Sequence, residues 1–153
     1  MCFSMVGQHN KMSTFLVVFA ALLAAVSAAI TQDHLRGAIH ACYPKITTGP
    51  PGSFEAFLQS KKIPSTNEEK CFIGCFYRKI GLIKNEGLDL KVALELADAK
   101  YKNPSELKKA YKIADTCYAL VKNIQDECHL GYMIRKCFIV NSDDRIRPPF
   151  LNA

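Results

Sequence analysis

Residues 66–81 read TNEEKCFIGCFYRKIG. Thr66 and Glu69 form one capping box, and Ser65 with Glu68 offers another, so a helix starts here. Cys71, Phe72, Cys75, Phe76 and Ile80 then recur at helical spacing, and Gly81 and Gly87 punctuate the exit. Cys71 and Cys75 are four apart, on nearly the same face of this helix. A bond between them would be strained. Two thiols on one face are better suited to holding two different neighbours, which makes this helix the hub of a crosslinked fold.

Four more cysteines flank it, in the order Cys42, then Cys117, Cys128 and Cys137, and the gaps across all six are 28, 3, 41, 10 and 8 residues. The seventh, Cys2, lies in an apolar leader. Lys11, the run from Phe15 to Val26 and the small residues Val26-Ser27-Ala28 have the layout of a secretory signal peptide, with the start at Met1, Met5 or Met12. The run is about a dozen residues, too short to cross a bilayer, and no later segment is long and charge-free enough to do so. Loss of residues 1–28 removes Cys2 and leaves an even set of thiols, the pattern of a disulfide framework in an exported protein. Of the fifteen pairings of six cysteines, those with Cys71–Cys75 go. Those with Cys128–Cys137 go too, because on one continuous helix these two lie about 13 Å apart on opposite faces. Ten pairings remain, and geometry alone goes no further.

The period is helical throughout the mature chain. Leu35, Ala38, Ile39 and Cys42 define one face, with Thr31 or Asp33 as cap and Pro44 as stop. Gly49-Pro50-Pro51-Gly52 is a loop, and Ser53 caps a short helix carrying Phe54, Phe57 and Leu58 that Pro64 ends. Asp89 starts a helix with Leu90, Ala93, Leu94 and Ala97. After Asn103-Pro104 another carries Leu107, Ala110, Tyr111, Ala114, Cys117 and Tyr118, with Lys108, Lys109 and Lys112 on its wet side. Asp126 opens the last, through Leu130, Met133, Ile134, Cys137 and Phe138. The expectation is an all-α bundle of about six helices with no convincing strand, in one domain over residues 29–140. A tail follows over 141–153, in which Ile146, Phe150 and Leu151 are apolar, and it is a candidate lid.

The cysteine spacing, Tyr132 within the last gap, Phe138 just after it and the exit Lys79-Ile80-Gly81-Leu82-Ile83 together resemble the insect odorant-binding proteins, the pheromone and general odorant carriers. The resemblance covers the whole mature chain. It implies the interlocked pairing Cys42–Cys75, Cys71–Cys128 and Cys117–Cys137, which ties the first helix to the third, the third to the sixth and the fifth to the sixth. It also implies an apolar cavity inside the bundle and a secreted carrier of small hydrophobic molecules. Leu35 and Phe138 match places where the family usually lines its cavity. Helical phase adds Ile39, Phe72, Phe76, Ile80, Leu94 and Met133, although core wall and pocket wall are not separable by phase. Tyr77 and Tyr118 offer hydroxyls to an alcohol, aldehyde or acid group.

Other chemistries find little support. There is no His-Glu-x-x-His, Gly-x-Ser-x-Gly or phosphate loop, so neither an enzyme nor a catalytic residue is expected. His34 and His40 face apart and bonded thiols ligate nothing, so no metal or cofactor is expected. His34 and His129 are the candidates for a pH response. The net charge of +6, or +5 without Lys11, reads as solubility, and the lack of a dense arginine stripe argues against nucleic acid. Membrane contact is not expected either. The expected partner is a small hydrophobic ligand, with an olfactory receptor as a further candidate and a monomer or weak homodimer as the assembly. The alternative keeps the fold and moves it outside olfaction, as a salivary, haemolymph or reproductive-fluid scavenger or a protein-interaction module.

Overall fold

A computed structural model describes residues 31–43, 53–85 and 87–146. The leader, the cysteine at position 2, the 49–52 loop and the tail beyond Ile146 lie outside the described residues. Six helices are present among them: α1 (Gln32–Cys42), α2 (Ser53–Gln59), α3 (Asn67–Lys79), α4 (Leu90–Lys100), α5 (Pro104–Leu120) and α6 (Glu127–Asn141).

Most starts are fixed by a side chain that takes up an otherwise unpaired backbone N–H. Thr31 accepts from the His34 N–H, Asp89 from Val92, Asn103 from Ser105 and Asp126 from His129. Of the two capping boxes read at α3, Thr66 with Glu69 is the one that forms. Ser65 supports it, because its backbone N–H and its hydroxyl both donate to Glu69 Oε2.

The sequence reading contained no strand, yet β1 (Ile83–Lys84) pairs antiparallel with β2 (Gly87–Leu88). The ladder is the by-product of a tight reversal. Gly81 at φ 79° and Asn85 at φ 54° adopt left-handed backbone, which returns the chain so that Ile83 and Leu88 both face the core. Two residues per strand leave no alternation to read.

Helix α3 runs through the centre. Phe72, Ile73, Gly74, Cys75, Phe76 and Tyr77 are buried in succession, so nearly every face of this stretch is covered. Helices α1 and α6 and strand β1 pack on it. The tightest approach is to α6, where Gly74 and Gly131 meet. A Cβ on Gly74 would overlap the Glu127 carbonyl oxygen, and one on Gly131 would overlap the Gly74 backbone nitrogen. An aromatic series runs through this core. Tyr43 meets Phe54 at 6.3 Å between ring centroids, Phe54 meets Phe72 at 4.5 Å, and Phe72 stacks on Phe76 at 6.3 Å.

The sulfurs pair Cys42–Cys75, Cys71–Cys128 and Cys117–Cys137. The two thiols of α3 therefore hold two different helices, α1 and α6, and α5 is tied to α6. The loops closed this way overlap in sequence, which makes the three bonds interlocked.

One charged side chain is wholly inside. Arg135 of α6 is 0% exposed. Its Nε donates to the Lys62 carbonyl at 2.9 Å, and its Nη2 donates to those of Phe57 and Ser60 at 2.7 and 2.8 Å. The guanidinium lies 4.6 Å from the centre of the Phe57 ring. A cation thus closes the carbonyl end of α2, where the helix dipole favours positive charge.

Candidate ligand pocket

Helices α4 and α5 pack as a pair whose facing residues are small: Ala93 and Ala97 on α4, Ala110 and Ala114 on α5. Each pair is spaced i, i+4, so its methyl groups stack on one face. Small residues leave space between the helices, and that space forms a pocket. Tyr101, just after α4, and Ile113 of α5 also line it, while Leu82, Phe138 and Ser142 complete the inner wall. Its free volume is about 390 Å³ counted to the open mouth, and the centre of a water molecule reaches only about 30 Å³ of that. The pocket is therefore a narrow slot, walled almost wholly by carbon. Ser142 spends its hydroxyl hydrogen on the Ile139 carbonyl at 2.8 Å, which leaves the oxygen as an acceptor.

The last wall residue is Ile146, which is 4% exposed. It is placed by a turn around Asp143, whose Oδ1 accepts from the backbone N–H groups of Arg145 and Ile146 at 2.8 and 2.7 Å. Lys109 of α5 binds the same carboxylate at 3.3 Å, and Lys61 binds Asp144 at 3.1 Å. Those two backbone bonds are the main reason the Asp143 carboxyl titrates below its ordinary value.

The residues expected from sequence to touch a ligand scatter in this structure. Phe138 lines the slot. Phe72, Phe76, Tyr77, Ile80 and Ile39 are buried in the main core, and Leu35, Leu94 and Met133 are half-buried against it. Leu94 is one helical step from Ala93, enough to turn it from the slot towards that core. Tyr118 does not fit the expectation of an internal hydroxyl: it is 38% exposed, with the Lys122 ammonium 5.0 Å from its ring centre. The buried face of α5 runs through Ala110, Ala114 and Cys117, and the step from Cys117 to Tyr118 rotates the latter out to solvent. The alanine pairs, Leu82, Tyr101, Ile113 and Ser142 were not anticipated as wall, whereas Ile146 belongs to the segment read as a candidate lid. The available signal was the recurrence of Ala at i, i+4 on two successive helices, which marks a place where large side chains do not fill the gap.

The polar chemistry is sparse. His34 and His129 are exposed on separate helices, with His34 Nε2 at 3.3 Å from the Lys79 carbonyl and the His129 ring 6.1 Å from that of Tyr132. Among the described residues no three His, Cys, Asp or Glu side chains stand close enough to hold a metal ion, and no helix is long and apolar enough to cross a membrane.

Residues 24–141 match the PBP/GOBP family. The odorant-binding protein dmelOBP28a from Drosophila melanogaster is similar in structure, with a TM-score of 0.58 and 27% sequence identity over 71% of this chain and 89% of that one. No curated protein sequence matches the chain.

Proposed function

This chain belongs to the PBP/GOBP family, and from that premise we propose that it is a secreted carrier of small hydrophobic molecules, odorants, pheromones or similar lipophiles. It takes up an apolar guest, keeps it from water and moves it through aqueous fluid, with no bond made or broken. The observation that carries this reading is the carbon-walled slot between α4, α5 and α6. The driving force is apolar burial, worth roughly 25 cal/mol for each Å² removed from water. The slot is too narrow for an odorant-sized guest as it stands, so uptake spreads its walls. The disulfides clamp α1, α3 and α6, while α4 carries no crosslink and Ile146 is held by a turn and two lysines. The yielding walls are therefore α4 and the 142–146 segment that carries Ile146, which acts as a lid in this reading. In this reading residues 1–28 direct export and are cleaved off in the course of it.

Displacement of a fluorescent hydrophobic probe by a panel of volatiles and fatty acids tests the proposal. The expected result is displacement at micromolar concentrations, lost when Ala97 or Ala114 is enlarged to Phe. A probe that never enters the folded protein would refute it.

A further inference from the structure

The slot has restrained walls. Of its free volume of about 390 Å³, the centre of a water molecule reaches only about 30 Å³, so the facing walls stand close together through most of it. Alanine methyl groups from two helices supply those faces, Ala93 and Ala97 from α4 and Ala110 and Ala114 from α5. A methyl group has no rotamer to change, so these faces cannot give way by turning a side chain aside. Room for a guest comes from moving whole helices apart.

Two bonds resist that movement, and both sit beside the wall. The first is covalent. Cys117 follows Ala114 by about one helical turn and Cys137 directly precedes Phe138, so the Cys117–Cys137 bond staples the α5 wall to the α6 wall, with the two Cα atoms 5.7 Å apart. The second is a hydrogen bond. The Tyr111 hydroxyl of α5 donates to the Asp98 carboxylate of α4. Tyr111 directly follows Ala110 and Asp98 directly follows Ala97, so this bond ties α4 to α5 next to the alanines that face the slot, while neither partner lines it. Helix α4 holds no cysteine and packs mainly on α5. The slot therefore widens on its α4 side, against the Tyr111–Asp98 bond.

We propose that the slot selects its guest by thickness, so that the preferred ligand is an unbranched aliphatic chain, and that Tyr111 and Asp98 are the positioning residues that set the width. This rests on the carrier reading and adds a ligand class to it. Parting packed walls by only about 0.5–1 Å already forfeits about a quarter to a half of each dispersion contact across the gap, and the loss grows with the thickness of the guest. An extended alkyl chain is one carbon thick along its whole length, so it asks for the least movement and lies against both rows of methyl groups. A saturated ring or a methyl branch is thicker, and it has to push α4 away from α5 before it makes those contacts.

The test uses three ten-carbon alcohols of different shape, decan-1-ol, 3,7-dimethyloctan-1-ol and menthol, each displacing a fluorescent hydrophobic probe from the wild-type chain, Tyr111→Phe and Ala97→Gly. Each affinity is divided by the alcohol's octanol–water partition ratio, so that hydrophobicity drops out and shape remains. On that scale decan-1-ol is expected to lead menthol by about tenfold or more in the wild type, with the branched alcohol between them. Tyr111→Phe keeps the ring and loses the tether, and Ala97→Gly removes a wall methyl group. Each is expected to shrink the lead to within about threefold, chiefly through tighter menthol binding. Menthol level with decan-1-ol in the wild type, or a lead that either variant leaves at its wild-type value, overturns the selection by thickness and leaves the carrier reading standing. No displacement by any of the three also overturns it, and if the probe itself never enters, the carrier reading falls as well.

Discussion

Glu69 is the residue on which the start of α3 depends. It accepts from Ser65 and Thr66, and Lys62 binds it at 2.6 Å. Burial alone would raise its pKa, but the hydrogen bonds from Lys62, Ser65 and Thr66 outweigh it and bring the value down to about 2. A depressed carboxyl stabilises the fold above its unfolded value of 4.5, and this contribution fades as pH falls from there towards about 2. Thermal melting across that window should therefore show a downward slope in the wild type that is shallower in Glu69→Gln, which should also lose about 1 kcal/mol at neutral pH through the broken cap. Asp143 obeys the same sign at the other end of the chain. Its carboxyl is depressed chiefly by the Ile146 and Arg145 N–H groups, so acid below the ordinary aspartate range should release the turn. Hydrogen exchange at the Ile146 amide should speed up on acidification and be fast at all pH values in Asp143→Ala.

Among the elements, α3 and α6 are set by what is absent between them. Gly74→Ala or Gly131→Ala forces a methyl into the opposing backbone, so each should cost about 3 kcal/mol or more in urea unfolding. Gly37→Ala is the contrast: it sits in α1 with open space around it, and removing a glycine from a helix interior should add about 0.5–1 kcal/mol. The six helices were legible because each announces itself locally, by a cap such as Thr66, Asp89 or Asp126 and by a run of apolar residues at helical spacing. The crossing of α3 and α6 was not, because a glycine's value lies in a partner more than fifty residues away. The slot escaped for a related reason. Periodicity finds large apolar residues such as Phe72 and Phe76, and these fill space, whereas the alanines that leave it unfilled carry no strong signal. Arg135 sits between Ile134 and Lys136 as an ordinary cation in sequence, and only the packing of α2 on α6 encloses it.

At the level of the whole molecule the three bonds divide the labour. Cys117–Cys137 ties α5, one wall of the slot, to α6, so replacing both by Ser should cost about 2–4 kcal/mol and weaken probe binding more than the Cys42–Cys75 replacement does. Parallel denaturation and displacement curves would check this, and equal losses from both pairs would contradict it. The position of the two sulfurs on α3 also governs how the chain must be made. Synthesis delivers Cys42, Cys71 and Cys75 long before Cys128, whose residue is the true mate of Cys71. During that interval two adjacent thiols on one nascent helix compete for the single early cysteine, and the wrong winner is corrected only by exchange once the last third has emerged. Yield from any expression host should thus track its disulfide isomerase, not its oxidant.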